Sequence, residues 1–376
     1  MTIIPRITQS ARVWYNSFNV KKILLVAIVI IGSFVLWNIA KSDPVKKVTQ
    51  TSSTKKIGSI SITPQRIQKE YLFVPYWSFS KNIVTDSEYS LIYFGVGVNT
   101  TGLETKDKGY ENLSQFIALT PNAKERILAI RMVDKAVNAE IIKSTLLEEK
   151  IASHAVSLAL KNKFDGVLLD YETSAFGFDS TTKNILSFYE LFAKKTHASN
   201  LKFYVSLYGD TYFQSRPYDV KAIGEVSDKV IIMAYDFSKS SGNPGPGFPL
   251  TGRIKYGYDF QKMVEDYQKD VNNEKLVVAL GYFGYDWRVD SKDIAIAPGI
   301  PLTTSEITKE FVTKCDLKDC SLTRDPNTKE PTVTYIDGSG ERHVLWFEDE
   351  MSINKKKQLL KSKGIVETGA WAYSYY

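Results

Sequence analysis

From about Tyr71 to the C-terminus, apolar runs of strand length alternate with longer stretches of helical periodicity. The runs are 71–77 (YLFVPYW), 90–98 (SLIYFGVGV), 126–132 (RILAIRM), 166–172 (GVLLDYE), 202–209 (KFYVSLYG), 229–237 (KVIIMAYDF), 275–284 (KLVVALGYFG) and 365–373 (IVETGAWAY). Helices are expected over 136–162, 182–197, 217–226, 256–272 and 352–363; within the first, residues 152–160 (ASHAVSLAL) carry apolar residues at helical spacing. Near-continuous apolar strands separated by helices describe a parallel sheet covered on both faces. With eight such units the natural closure is an α/β fold of the (β/α)8 TIM-barrel type.

Two features break the alternation. The stretch after the seventh strand, about 288–345, is too long for a simple loop. It contains Cys315, Cys320 and a hairpin-like run, 332–347 (TVTYIDGSGERHVLWF), with Asp337-Gly338 as its turn signal. A small inserted subdomain is expected there. Only five residues follow Trp371, too few for an eighth outer helix, and residues 57–70 are expected to cover that gap.

A different pattern occupies the N-terminus. Residues 23–40 (ILLVAIVIIGSFVLWNIA) hold no charge and one amide, Asn38. That approaches the roughly 20 residues needed to span a bilayer, and Trp37 sits where an interfacial aromatic belongs. The apolar core exceeds the roughly 7–15 residues of a cleaved signal peptide, and Asn38-Ile39-Ala40 is a poor cleavage site. The expected organisation is a short basic segment (1–22), an uncleaved transmembrane signal-anchor (23–40), a polar Ser/Thr/Lys-rich tether (41–68) and the barrel (69–376). Basic residues flank the span on both sides, so charge alone does not orient it.

Charge bears on partners once it is divided. Of 48 Lys and Arg, five (Arg6, Arg12, Lys21, Lys22, Lys41) lie in residues 1–41, which contain no acid. The remaining 43 bases face 42 acids, so the rest of the chain is nearly neutral and nucleic acid is not an expected partner. Three scattered histidines (His154, His197, His343) and two cysteines make a metal centre improbable. No cofactor is expected and the histidines read as non-catalytic. Aromatics at 12% hint at a surface for stacking.

The most informative run is Phe164–Glu172. Alternation along a strand puts Leu168, Asp170 and Glu172 on one face, and Val167, Leu169 and Tyr171 on the other. Asp170 and Glu172 lie about 6.6 Å apart at Cα, so their carboxyls can meet. Close like charges raise one pKa, which leaves one carboxyl able to act as a general acid. By spacing alone, the same two acids could simply face water or pair with lysine or arginine.

The run resembles the signature of glycoside hydrolase family 18, the chitinase-like family, usually DGxDxDxE. Asp165, Gly166, Asp170 and Glu172 match, and Leu168 stands in place of the middle acid. Met233-Ala234-Tyr235-Asp236 is similar to the family's M-x-Y-D. The segments 240–242 and 245–250 resemble its Gly/Pro loop, Gly284-Tyr285-Asp286-Trp287 the end of its seventh strand, and residues 346–371 its last helix and strand. The matches run in order over roughly 69–376. At strand three, Ala129-Ile130-Arg131-Met132 replaces the family's Ser-x-Gly-Gly.

The resemblance implies a retaining glycosidase in which the substrate's own 2-acetamido group attacks the anomeric carbon. Glu172 would be the acid and then the base, Asp170 would orient the acetamido N–H, and Tyr235 would donate to its carbonyl. Met233 and Asp236 would bind the sugar. Trp371 would floor the site, or else be a core residue closing the barrel. Tyr76, Trp77, Tyr285 and Trp287 could stack on neighbouring sugars or pack. With Leu168 in the inner position, Asp170 is expected to stay turned toward Glu172. Outside the cytoplasm, Cys315 and Cys320 are expected to form a disulfide. The implied substrate is a β-linked N-acetylglucosamine polymer, chitin or peptidoglycan. Such polymers lie outside the membrane, so the expectation is a monomeric single-pass protein with an extracytoplasmic catalytic domain; secretion after cleavage is the alternative. A rival from another class is a lectin-like barrel that binds glycan without turnover; a scaffold barrel is a third.

Overall fold

The computed structural model describes residues 70–78, 89–173 and 179–376. The expected basic segment, membrane span and tether all lie outside the described residues. Among the described residues, no helix is long and apolar enough to cross a membrane.

Strands β1 (Glu70–Pro75), β2 (Tyr89–Asn99), β4 (Glu125–Met132), β5 (Gly166–Tyr171), β6 (Lys202–Tyr208), β7 (Lys229–Ala234), β8 (Leu276–Gly281) and β14 (Glu367–Trp371) form a closed parallel sheet; a two-residue strand, β3 (Gly102–Leu103), pairs antiparallel with β2. β14 lies between β8 and β1, and β1 also pairs with β2 from Glu70↔Tyr89 to Pro75↔Phe94, which closes the ring. The α/β barrel expected from the alternation is present. Closure follows from patterning: β1, β2, β5, β7 and β8 are buried on both faces, and a closed sheet leaves no edge unpaired.

The inward residues form layers. At the N-terminal end Glu125 is buried, accepting hydrogen bonds from Ser90 (2.7 Å), Tyr204 (2.7 Å) and Lys202 (2.8 Å). Above it lies an apolar layer of Ile92, Ile127, Ala129, Leu168, Ile231 and Val277. The alternate residues, among them Leu91, Leu128, Val167, Leu169 and Ile232, face the helices instead. A polar floor and an apolar middle leave the C-terminal mouth as the place where inward polar side chains can meet solvent and ligand.

The helices that cover the barrel are α1 (Lys108–Glu111), α2 (Leu113–Leu119), α3 (Lys135–Ile141), α4 (Thr145–Lys161), α5 (Asp179–Ala198), α6 (Val220–Val226), α7 (Arg253–Tyr256) and α8 (Phe260–Asp270). The expected single helix over 136–162 is broken between α3 and α4, because the Ser144 side chain accepts from the Leu147 N–H and starts a new N-terminus. α5 buries Ile185, Phe188, Tyr189, Phe192, Ala193 and Thr196, a stripe at helical spacing.

The chain leaves the wall at Tyr282, earlier than expected. Strands β9 (Phe283–Val289), β10 (Ile300–Thr303), β11 (Lys318–Arg324), β12 (Pro331–Ile336) and β13 (Arg342–Phe347) make an antiparallel sheet in the order β10-β9-β13-β12-β11. The run read as one strand over 275–284 is therefore two. The turn signalled by Asp337-Gly338 is present: Asp337 accepts from the N–H groups of Ser339 and Glu341, and Gly340 is left-handed, with φ +85°. Helix α9 (Thr304–Ile307) and a following π-helical turn (Thr308–Val312) pack Ile307 and Phe311 on Val333, Leu345 and Phe347. Cys315 and Cys320 are joined in a disulfide, Cα–Cα 6.3 Å.

A buried charge cluster ties this sheet to the barrel. Lys356, on helix α10 (Glu350–Ser362), is fully buried and bonds Glu330 at 2.9 Å and also Glu348. Glu330 further accepts from the N–H groups of Gly247 (2.6 Å) and Phe248 (3.0 Å) in the loop after β7. Burial, and then the neighbouring Glu348, pushes the Glu330 carboxyl well above its ordinary range. Removing the ammonium would strand two carboxylates in the dry interior. Lys356→Met should therefore cost about 3–5 kcal/mol in urea-induced unfolding. A loss below about 1 kcal/mol would show that the cluster contributes little.

Candidate active site

The site grows from β5. At its lower end the Asp165 carboxylate accepts from the Arg126 N–H at 2.8 Å, pinning β4 to β5. A Cβ on Gly166 would lie 2.6 Å from the Tyr204 ring and 2.7 Å from the Lys202 carbonyl, so no larger residue fits there without displacing backbone. Leu168 is fully buried in the apolar layer. Asp170 follows on the same face, 3% exposed, with Glu172 above it at the mouth.

Each carboxylate takes a hydrogen bond from β6. Ser206 donates to Asp170, and Tyr208 donates to Glu172 at 2.6 Å. Burial, and then the charge of Glu172, raises the Asp170 pKa to about 7; the Ser206 hydroxyl and the Arg131 cation oppose the rise. Tyr208 is itself pushed up by burial and by Glu172, so it stays a donor. The Arg216 guanidinium lies 3.9 Å over the Tyr208 ring and clamps Asp210 at 2.7 and 2.8 Å. Behind the site, the buried Asn138 amide bridges the carbonyls of Met132 (2.6 Å) and Glu172 (2.7 Å), fixing the ends of β4 and β5.

The facing wall comes from β7 and β14. Met233, Tyr235 and Asp236 line a pocket of about 260 Å³ together with Glu172, Tyr208 and Tyr285. Burial, and then the charge of Asp170, pushes the Tyr235 hydroxyl well up, so it too remains a donor. Tyr285 donates to Asp236 at 2.8 Å, while burial raises the Asp236 pKa. Asp236 has φ +57°, a left-handed conformation in which aspartate is tolerated, and this turns the chain away from β7. Trp371 stacks on Tyr235 (6.0 Å, 30°) and meets Phe73 at 5.4 Å and Phe94 at 4.9 Å.

The other expected contacts divide. Trp77 is 50% exposed and edges onto Trp371 at 6.5 Å. Tyr76 carries Arg131 5.3 Å over its ring. Trp287 is fully buried, and its Nε1 donates to the Ser240 carbonyl at 3.0 Å. It packs under the loop and offers no stacking face, a correction to its expected sugar contact. Ser206, Tyr208, Asn138 and Arg216 were not singled out from the sequence. The first two had a legible signal: Tyr204, Ser206 and Tyr208 alternate along β6 on the inward face.

In the comparison to known families, the model for glycosyl hydrolases family 18 matches residues 131–375. The chain belongs to that family. It is 27% identical over 154 residues to the cortical fragment-lytic enzyme of Bacillus anthracis, covering 41% of this chain and 33% of that one. It is 22% identical over 239 residues to di-N-acetylchitobiase of Mus musculus, covering 57% and 62% respectively. The chain thus spans about a third of the length of the first of these relatives. The crystal structure of the Bacillus cereus spore cortex-lytic enzyme SleL superposes with TM-score 0.64 at 17% identity, over 82% of this chain and 71% of that one, which supports the fold.

Ser206 favours the charged form of Asp170, so losing its hydroxyl must raise that pKa. Ser206→Ala should move the Asp170 titration, followed by carboxyl-carbon NMR, above pH 7. An unchanged midpoint would remove Ser206 from the account.

Proposed function

We propose that this family 18 chain is a glycoside hydrolase that cleaves β-linked N-acetylglucosamine polysaccharide with retention of configuration, using the substrate's acetamido group as nucleophile. One observation carries the reading: Asp170 and Glu172 leave β5 on its inward face, and Tyr235 lines the same mouth, stacked on Trp371.

The steps follow from these positions. The acetamido carbonyl oxygen attacks the anomeric carbon as the bond to the leaving oxygen breaks. That oxygen takes the Glu172 proton. In its ionised form, populated above its raised pKa of about 7, Asp170 accepts from the acetamido N–H and balances the positive charge of the oxazolinium ring. A carboxylate within the dry mouth does this without reorganising solvent. Tyr235 donates to the acetamido oxygen and holds it for attack. Water, losing a proton to Glu172, then attacks the anomeric carbon from the face that the leaving oxygen vacated, and the bond from that carbon to the acetamido oxygen breaks, so configuration is retained. Tyr208 donates to Glu172 and fixes the direction of its carboxyl. Trp371 presents an apolar surface beneath the sugar.

A second reading, binding without turnover, draws on two departures: Leu168 in the inner position and Arg131 where the family has glycine. The presence of Asp170, Glu172 and Tyr235 together favours the enzyme. An outward-facing barrel tethered by residues 23–40 is part of the proposal, because such polymers lie outside the membrane.

Two measurements bear on this reading. Glu172→Gln should lower release of reducing ends from chitin oligosaccharide or peptidoglycan by about 10²–10⁴-fold, since general-acid catalysis contributes that much. Turnover equal to the parent would refute the assignment. Tyr235→Phe, which keeps the ring on Trp371 and loses the hydroxyl, should lower kcat by roughly tenfold, the worth of a hydrogen bond of about 1.4 kcal/mol at the reacting group.

A further inference from the structure

Beyond β6 the chain folds back onto the last residue of that strand. The carbonyls of Asp210 and Thr211 accept from the N–H groups of Gln214 (2.8 Å) and Arg216 (3.0 Å), and Ser215 is left-handed, with φ +48°. This turn lays the Arg216 guanidinium 3.9 Å over the Tyr208 ring. Asp210 holds it there with both oxygens, accepting from Nε at 2.7 Å and from Nη2 at 2.8 Å. The two side chains are only 8% and 11% exposed, so the pair is largely shielded from water and salt. The same loop grips β5 on either side of Glu172. Tyr218 donates to the Tyr171 carbonyl at 2.9 Å, and Arg216 reaches the Thr173 carbonyl at 3.4 Å. Charges and dipoles therefore alternate along one line: the Asp210 carboxylate, the Arg216 cation, the Tyr208 phenol and the Glu172 carboxyl, which accepts from that phenol at 2.6 Å.

A cation over the face of a phenol draws electron density from the ring and makes its hydroxyl a stronger donor. Burial and then Glu172 push the Tyr208 hydroxyl up, and the Arg216 cation opposes them. A hydrogen bond to a carboxyl gains most when that carboxyl is charged. Glu172 becomes charged as it passes its proton to the leaving oxygen, so the bond from Tyr208 tightens toward the transition state. An interaction that strengthens there raises kcat and leaves ground-state binding alone. We propose that Asp210 and Arg216 are positioning residues for the general acid, acting through the Tyr208 ring to stabilise the charge that develops on Glu172. The role needs no contact between either residue and the sugar. It rests on the reading of Glu172 as the general acid. A loop brace that merely holds β5 would use the same residues, and the experiment separates the two roles by asking whether the pair needs the Tyr208 hydroxyl.

The test uses full-length protein. Removing Arg216 alone would strand the buried Asp210 charge, so the pair is neutralised as a unit, Asp210→Asn with Arg216→Met. Release of reducing ends is followed from chitin tetraose or solubilised peptidoglycan, whichever the parent cleaves. Tyr208→Phe alone should lower kcat about tenfold. The paired change should lower kcat about fivefold with KM held within about twofold. In the Tyr208→Phe background the same paired change should lower kcat by less than about twofold, since no hydroxyl remains to polarise. Equal losses in both backgrounds, or a loss confined to KM, would overturn the proposal. A second readout needs no turnover: the carboxyl-carbon NMR signal of Glu172 in the unliganded protein, assigned by its disappearance in Glu172→Gln. It should move on the paired change when Tyr208 is present and stay in place in Tyr208→Phe. A parent that releases no reducing ends yet shows this dependence loses the hydrolase reading and keeps the action of the pair on Glu172. A working hydrolase whose Glu172 signal responds alike in both backgrounds keeps its activity and loses the proposal.

Discussion

Two carboxylates share the dry mouth of a barrel only when the surrounding groups decide which one keeps a proton. Burial makes ionisation of Asp170 costly, and the nearby Glu172 adds to that cost. Ser206 and Arg131 work against both, and burial prevails, so the Asp170 pKa comes to about 7. Everything else around the site serves that balance. Tyr208 and Tyr235 are themselves held in the protonated form by burial and by these same acids, so they remain donors at any ordinary pH. Asn138 and Arg216 fix the backbone ends from which the acids project.

The antiparallel sheet beyond β8 belongs to the same argument. It delivers Tyr285 to Asp236 and brings Glu330 to the loop that follows Asp236. The Glu330 carboxylate accepts from two successive backbone N–H groups and is held by a buried lysine. In the Gly/Pro-rich loop over 242–250, Phe248 is packed against Phe237 and Phe260, and the Glu330 carboxyl adds a polar anchor on the backbone of Gly247 and Phe248. The wall that carries Tyr235 and Asp236 is thus positioned by charges well away from the pocket.

Much of this was legible in the chain. Alternation across Leu168, Asp170 and Glu172 needs only the pleat of a strand, and all eight barrel strands announced themselves as apolar runs. What escaped notice had weaker local signals. Ser206 and Tyr208 sit at period-two positions within an apolar run, where a serine and a tyrosine are easily read as packing. Trp287 looked like a platform because aromatic content says nothing of which face meets solvent; β9 turns it under Ser240. The break at Ser144 and the second strand after Tyr282 depend on capping and on pairing with β13, a partner some sixty residues away that local patterning does not reveal.

The two departures from the family pattern act on Asp170 in the same direction. A third acid at position 168 would lie beneath Asp170 on the same face and add a second like charge to an already desolvated site. Leucine removes that charge and completes the apolar layer with Ala129 and Ile231. Arg131, in register with Asp170 on the adjacent strand, puts an opposite charge where the family has glycine, and Asp107 steadies it at 2.9 Å. Each change alone lowers the cost of ionising Asp170; together they let Ser206 serve as its hydrogen-bond partner in place of a carboxyl below. A site arranged this way has no third acid beneath Asp170 to share its proton, and the cation and the hydroxyl are the groups that oppose the rise of its pKa.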